Sequence, residues 1–149
     1  MESPLPNAER IGCGRSFLAL AGGYGVLEVG FGAYRAHGLP QALQKSGVEP
    51  AEITERVSNL GIAVEYTLLH AVAIIGVLAL SKIRFRQVPC FAFSCGILLF
   101  SGSLVLDAVW AYRPPSFVPP VGGMLLISGW FSLIAVACIR PCAKQAANC

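Results

Sequence analysis

Charge is what this sequence has least of. Only 13% of its 149 residues are Asp, Glu, Lys or Arg, whereas a typical soluble domain has about 25%. Apolar residues make up 55% of the chain, and the mean hydropathy is +0.65. A soluble fold of this size could not hide so much apolar surface without leaving large exposed patches. The deficit excludes an ordinary soluble domain and favours a chain whose outer faces contact lipid.

Motifs of several chemical classes are missing as well. The net charge is only +3 and the cations are scattered, so nucleic acid is not an expected partner. No Gly-rich phosphate loop follows a strand pattern, and the six cysteines show no paired C-x-x-C spacing for zinc. No nucleophilic side chain is spaced from a possible general base in a pattern typical of an active site. We therefore predict no enzymatic activity, no catalytic residue, no metal site and no cofactor.

Four long apolar stretches dominate what is present. A bilayer core about 30 Å thick requires roughly 20 helical residues to cross it. These stretches are apolar on all sides, unlike the alternating strands of about 10 residues in membrane barrels, and an open sheet edge cannot face lipid. We predict an all-α polytopic membrane protein with four transmembrane helices in an up-down bundle. The expected spans are residues 17–34, 60–81, 87–110 and 119–139, between an N-terminal tail 1–16 and a C-terminal tail 140–149.

Flanking residues predict how the first two spans begin and end. The segment in which Arg10 and Arg15 precede the apolar residues 17–22 resembles the start of a signal peptide. The apolar stretch runs well beyond that length and no clean cleavage site follows, which favours a span. His37 followed by Gly38 predicts the end of the first helix, with a left-handed glycine as its cap. Pro50, between acidic residues, predicts the start of a helix that runs on into the second span.

The distribution of cations predicts the orientation in the membrane. With four spans, the N-terminus, the second loop and the C-terminus share one side. That side holds seven cations: Arg10, Arg15, Lys82, Arg84, Arg86, Arg140 and Lys144. The other side holds four: Arg35, Lys45, Arg56 and Arg113. The positive-inside rule therefore predicts a multi-pass protein with both termini in the cytoplasm. All six cysteines fall on or near that side, where thiols stay reduced.

Four short motifs occur in a characteristic order. Gly32–Leu39 resembles G-A-x-x-A-H-G-L, Tyr66–Ala71 resembles Y-x-x-x-H-A, Leu99–Leu104 resembles L-F-x-G-S-L, and Pro120–Gly123 with Gly129-Trp130 resembles P-x-G-G and G-W. The motif residues are Gly32, His37, Gly38, Gly102, Ser103, Gly122, Gly123 and Trp130. Together the motifs are similar to those of Domain of Unknown Function 423, a family of small membrane proteins whose eukaryotic branch is transmembrane protein 256. The resemblance implies a four-helix inner-membrane protein and no particular reaction. This sequence departs from the family pattern at Asp107 and Pro119.

Small residues recur at spacings of three and four on three of the helices. On the first helix they lie with Glu28 and Arg35. On the third they include Gly96, on the same face as Asp107, and on the fourth they include Gly122 and Gly129. Such spacing places side chains on one face, and small residues allow close helix approach in lipid. We predict that these faces pack inward.

Ionisable side chains inside the spans are the candidate functional residues, because they are costly in lipid. The candidate polar cluster consists of Glu28, Glu65, Tyr66, His70 and Asp107. In a structural interpretation these groups pair with one another, with Arg35 or with the backbone. In a functional interpretation Glu28, Glu65 and His70 line a hydrated pocket for a proton, a cation or a small polar solute. A third interpretation, with His37 and His70 as haem ligands, has no other haem signal to support it.

The sequence therefore predicts a structural or accessory protein that acts through helix–helix contacts. Its expected partners are the lipid bilayer and either a second copy or another membrane protein. The alternative is a small proton- or solute-handling transport protein with a polar pocket in the outer half of the bundle. Four spans of this size enclose little volume, so transport would favour an oligomer.

Overall fold

The computed structural model describes residues 7–80 and 86–138, with the side chains described from residue 14 onward. Several predicted cytoplasmic residues lie outside these ranges: Lys82, Arg84, Arg140, Lys144, Cys142 and Cys149. Five α-helices cover most of the described chain: α1 Asn7–Ala33, α2 Leu39–Lys45, α3 Pro50–Ala79, α4 Gln87–Trp110 and α5 Val118–Cys138. Four helical stretches are long and apolar enough to cross a membrane: Gly14–Lys45, Pro50–Ala79, Gln87–Trp110 and Val118–Cys138. The predicted all-α fold with four spanning helices is confirmed.

The first spanning helix does not end where the sequence predicted. Gly38 has φ −83° and ψ −52°, which is right-handed, and Tyr34–Gly38 forms a π-helical turn that leads directly into α2. The chain leaves the helix at Gly47, whose φ is +71°. The prediction that His37 and Gly38 end the helix is therefore wrong. Glycine at position 38 has another role: a Cβ there would clash with the ring of Tyr34 unless that ring moved.

The start of α3 agrees with the prediction from its flanking residues. Glu49 is extended, with φ −60° and ψ 136°, and Pro50 is the first helical residue. Proline suits this position because its φ is preset and its missing N–H would have had no helical partner. The helix then continues unbroken to Ala79. The predicted helix that begins outside the apolar stretch and runs into the second span is confirmed.

The helices pack largely in the order of the chain. Helix α4 packs against both α3 and α5, and α1 packs mainly against α3. Of the spanning helices, α4 is the most buried, whereas α1 and α5 leave broad apolar faces uncovered. One core cluster includes Tyr24, Ile74, Phe93 and Leu126, and another joins Leu39, Leu43, Leu60 and Ala108. The second cluster packs α2 against the first half of α3 and the end of α4.

Glycines set the close approach of α4 and α5. Gly122 on α5 lies against the backbone of Phe100, and a Cβ there would clash with the Phe100 nitrogen. A Cβ on Gly129 would lie 2.5 Å from Cε1 of Phe93, and Gly96 on α4 is similarly covered by α5. All three glycines belong to the faces of small residues that the sequence predicted to pack inward. Their missing side chains give the two helices the separation at which the aromatic residues interlock.

Candidate functional site

His70 lies at the centre of a contact between α3, α4 and α5 and is only 3% exposed. Its Nδ1 is 2.7 Å from the carbonyl oxygen of Tyr66, and its Nε2 is 3.1 Å from Nε1 of Trp130. A carbonyl only accepts a hydrogen bond and an indole N–H only donates one. The ring is therefore the neutral tautomer with its proton on Nδ1. Because both nitrogens are engaged inside the bundle, neither offers a lone pair to a haem iron.

Aromatic rings surround this histidine. The ring centroids of His70 and Phe93 are 5.4 Å apart, and those of Phe93 and Trp130 are 5.2 Å apart in an edge-on arrangement. Tyr66 lies one turn before His70, with centroids 5.9 Å apart, and it also contacts Phe100 at 4.8 Å. Edge-on and tilted geometries of this kind are the favoured ones for aromatic pairs. The family motifs of α3 and α5 therefore meet at one aromatic cluster, with α4 contributing the rings between them.

Asp107 is held near the C-terminal end of α4 by two neighbours. Its Oδ2 accepts a hydrogen bond from Nδ2 of Asn59 at 3.0 Å, and its Oδ1 is 3.3 Å from Nε of Arg113. The first contact joins α4 to α3, and the second joins α4 to the segment that follows it. Both carboxylate oxygens are thus engaged, which agrees with the structural interpretation of this residue.

Arg56 makes buried contacts that the sequence analysis did not predict, because it was counted only as a loop cation. It is 8% exposed and lies on α3 beside the end of α4. Its Nε donates to the carbonyl of Ala108 at 2.9 Å, and its Nη2 donates to that of Val109 at 3.3 Å. The last carbonyls of a helix have no intrahelical partner and carry partial negative charge. Arg56 satisfies two of them and also approaches Glu52 at 3.5 Å.

Two polar contacts attach α1 and its π-helical turn to the rest of the bundle. The hydroxyl of Tyr24 donates to the carbonyl of Ser94 on α4 at 3.0 Å. Nε of Arg35 donates to the carbonyl of Val57 on α3 at 3.2 Å, and its guanidinium covers Gly61. A Cβ at Gly61 would lie 2.5 Å from Cζ of Arg35. Arg35 therefore bonds to a backbone carbonyl and not to a carboxylate of the candidate polar cluster. The structural interpretation had named both Arg35 and the backbone as partners of that cluster.

Glu28 and Glu65 are separate from these contacts. Among the described residues, neither carboxylate has a hydrogen-bond or ion-pair partner. Glu28 is half-buried, whereas Glu65 is exposed on the face of α3 that points away from the other helices. Five residues turn a helix by about 140° beyond one full turn, so Glu65 points outward when His70 points inward. The structure therefore does not bring Glu28, Glu65 and His70 together in one pocket.

A cavity of about 120 Å³ does lie between α1, α3 and α4. Its wall is almost wholly apolar and includes Phe31, Val64 and Ile97, with Glu28 and Thr67 as its polar members. The hydroxyl of Thr67 already donates to a backbone carbonyl at 2.7 Å. The chemistry of this cavity is thus unlike that of the hydrated site that the functional interpretation predicted.

The remaining motif residues have structural neighbours. Gly32 approaches the Val64 side chain, His37 is exposed on the π-helical turn, Gly102 lines the cavity, Ser103 donates to the Phe100 carbonyl at 2.7 Å, and Gly123 approaches the Phe100 ring. In the part of the chain that the structure describes, no three metal-ligating side chains come together. The described cysteines, Cys90, Cys95 and Cys138, form no disulfide with one another.

Four apolar helices, joined by buried polar contacts and packed through glycines, define a small multi-pass membrane protein. A family model described as "Protein of unknown function (DUF423)" matches residues 31–123. The chain therefore belongs to this family, which confirms the resemblance predicted from its motifs.

Several bacterial relatives share the designation UPF0382. The UPF0382 membrane protein of Haemophilus influenzae is 34% identical over 120 residues, which cover 78% of this chain and 89% of the relative. The UPF0382 inner membrane protein YgdD of Escherichia coli K12 is 33% identical over 130 residues, 85% of this chain and 91% of its own. A UPF0382 membrane protein of Staphylococcus haemolyticus is 33% identical over 112 residues, 73% and 84% of the two chains. No solved structure matches.

Proposed function

We propose that this protein is a structural or accessory membrane component that acts through helix–helix contacts and catalyses no reaction. The proposal rests on one observation: three polar side chains that face the bundle interior form hydrogen bonds to neighbouring helices. His70, Asp107 and Arg56 all bond to neighbouring helices. The cavity beside them has apolar walls. Polar groups committed to internal contacts specify how helices pack, whereas a transport path needs polar groups that face water.

We propose further that both termini face the cytoplasm, in a cell or inner membrane. The side chain of Arg86 lies close to Gly14, so the start of α1 and the start of α4 share one end of the bundle. At the opposite end, Arg56 and Arg113 are used in contacts with the end of α4 and with Asp107. These contacts explain why two cations lie on the side of the membrane that the positive-inside rule assigns to the exterior.

A second candidate, proton or solute transport, is favoured by one observation. The carboxylate of Glu28 has no partner among the described residues and belongs to the cavity wall. A carboxylate in such surroundings is a default candidate for proton or cation handling. The two functions make opposite predictions for a flux measurement.

The test is a proton-flux assay with purified protein in liposomes that contain a pH-sensitive dye. We expect wild-type vesicles to lose an imposed pH gradient no faster than empty vesicles, and we expect Glu28→Gln to change nothing. Glu55→Gln is the matched control, because Glu55 is exposed near the polar start of α3. A protein-dependent flux that disappears with Glu28→Gln and persists with Glu55→Gln would replace the accessory function with the transport function.

A further inference from the structure

One face of α3 is left uncovered by the described residues and has the spacing of a helix-pairing surface. Its members, which we call the α3 seam, are Ile62, Glu65, Leu69, Val72, Gly76 and Ala79. All six are exposed. Their spacings of three and four alternate along five turns, as in the contact line of a left-handed helix pair. Such a face is typical of a helix that packs against another helix.

Two polar groups at this seam have complementary needs. The carboxylate of Glu65 has no donor among the described residues, and the hydroxyl of Tyr66 has no acceptor among them. Tyr66 is 42% exposed, and its ring is held by Phe100 and His70. The unsatisfied acceptor, Glu65, is therefore adjacent in sequence to the unsatisfied donor, Tyr66.

The depth of these groups makes water a poor partner for them. Glu65 lies five residues beyond Leu60, where the apolar stretch begins, and this corresponds to roughly 7.5 Å along the helix axis. Exposed apolar residues such as Ile62 and Leu69 flank it on the same face. Polar groups in this layer are satisfied best by another protein surface.

We propose that two copies of this chain pair through the α3 seam, with Glu65 of each copy accepting a hydrogen bond from Tyr66 of the other. This inference rests on the proposed function and names a second copy as the partner. Copies inserted with the same orientation pair as parallel helices, so both polar groups lie at the same depth. A twofold interface forms every contact twice. Glu65 of each copy therefore meets Tyr66 of the other, which gives two reciprocal hydrogen bonds.

The geometry of parallel helix pairs supports this assignment. If Ile62 occupies position a of a heptad, Glu65 occupies d and Tyr66 occupies e. A side chain at d packs into a hole of the facing helix that includes its d and e residues. Glu65 is thus a direct neighbour of the partner's Tyr66. Toward the other end, Gly76 and Ala79 allow the helices to approach closely.

The test is fluorescence energy transfer between donor-tagged and acceptor-tagged full-length protein in liposomes over a series of protein-to-lipid ratios. We expect wild-type protein to form dimers, and we expect Glu65→Leu and Tyr66→Phe each to raise the dissociation constant about tenfold. The double variant is expected to be little weaker than either single variant, because both remove the same hydrogen bonds. Glu65→Gln is expected to keep most of the affinity, because its amide oxygen still accepts.

Two matched glycine variants separate pairing from folding. A Cβ at Gly76 or at Gly30 would meet nothing within 4 Å, and both positions are exposed, so a side chain added at either one starts in open space. Only Gly76 belongs to the seam. We expect Gly76→Leu to abolish energy transfer and Gly30→Leu to preserve it, with equal helix content by circular dichroism.

Equal energy transfer in Gly76→Leu and Gly30→Leu would overturn the proposed dimer, as would wild-type protein that is monomeric at every ratio. Neither result affects the proposed accessory function, which fails only if the liposome assay detects a flux that depends on Glu28. The two proposals can therefore fail separately.

Discussion

Replacing Arg56 with methionine tests whether α4 depends on a side chain from α3 to cap its C-terminal end. Methionine keeps an apolar stem but removes the donors to the carbonyls of Ala108 and Val109, which lie 2.9 and 3.3 Å away. A hydrogen bond from a charged donor contributes about 1.5–3 kcal/mol, and a cation at a helix C-terminus adds about 0.3–1 kcal/mol. The second bond is long and partly exposed, so we expect a loss of about 3–5 kcal/mol.

The measurement is the free energy of unfolding in mixed micelles, titrated with SDS and followed by circular dichroism. Glu52→Gln is the matched control, because it removes only the 3.5 Å pair with Arg56. The Glu52 side chain is 46% exposed, and a pair of this kind contributes less than about 1 kcal/mol. Arg56→Lys, which keeps the charge without the fork of donors, is expected to fall between the two. A value for Arg56→Met equal to that of Glu52→Gln would refute the capping argument.

Three further predictions concern stability, measured by the same titration. Trp130→Phe removes the donor to His70 Nε2, 3.1 Å away, and we expect a loss of about 1–3 kcal/mol because a buried acceptor stays unsatisfied. Gly122→Ala places a Cβ against the backbone of α4, and we expect α5 to detach, whereas the matched Gly30→Ala meets nothing within 4 Å and is expected to be neutral or stabilising by up to about 1 kcal/mol. Ala111→Gly is expected to stabilise by up to about 1 kcal/mol, because Ala111 has φ 53° and glycine adopts this conformation without steric cost.

Each of these predictions has a result that contradicts it. A stability for Trp130→Phe equal to that of the wild type would mean that another donor reaches His70. Indistinguishable unfolding of Gly122→Ala and Gly30→Ala would mean that α4 and α5 are farther apart than the structure places them. A destabilised Ala111→Gly would mean that the end of α4 does not depend on a left-handed residue.

The sequence by itself determined the class of protein and much of its local structure. Length and hydropathy are properties of each segment alone, so four apolar stretches were enough to predict four spanning helices. The start of α3 at Pro50 followed from the fixed φ of proline and its missing N–H. The inward position of Gly122 and Gly129 followed from helical periodicity. None of these inferences required knowledge of which segments are neighbours.

Only the tertiary structure decided which polar groups meet. Asn59 bonds to Asp107 across 48 residues, and Arg56 bonds to Ala108 across 52. Such bonds depend on the relative rotation and height of two helices to within about an ångström, and hydropathy does not specify either. The same rotation turns His70 toward Trp130 and leaves Glu65 facing outward. A polar cluster predicted from residue types therefore became several separate contacts, because helix packing decides which side of each helix is the interior.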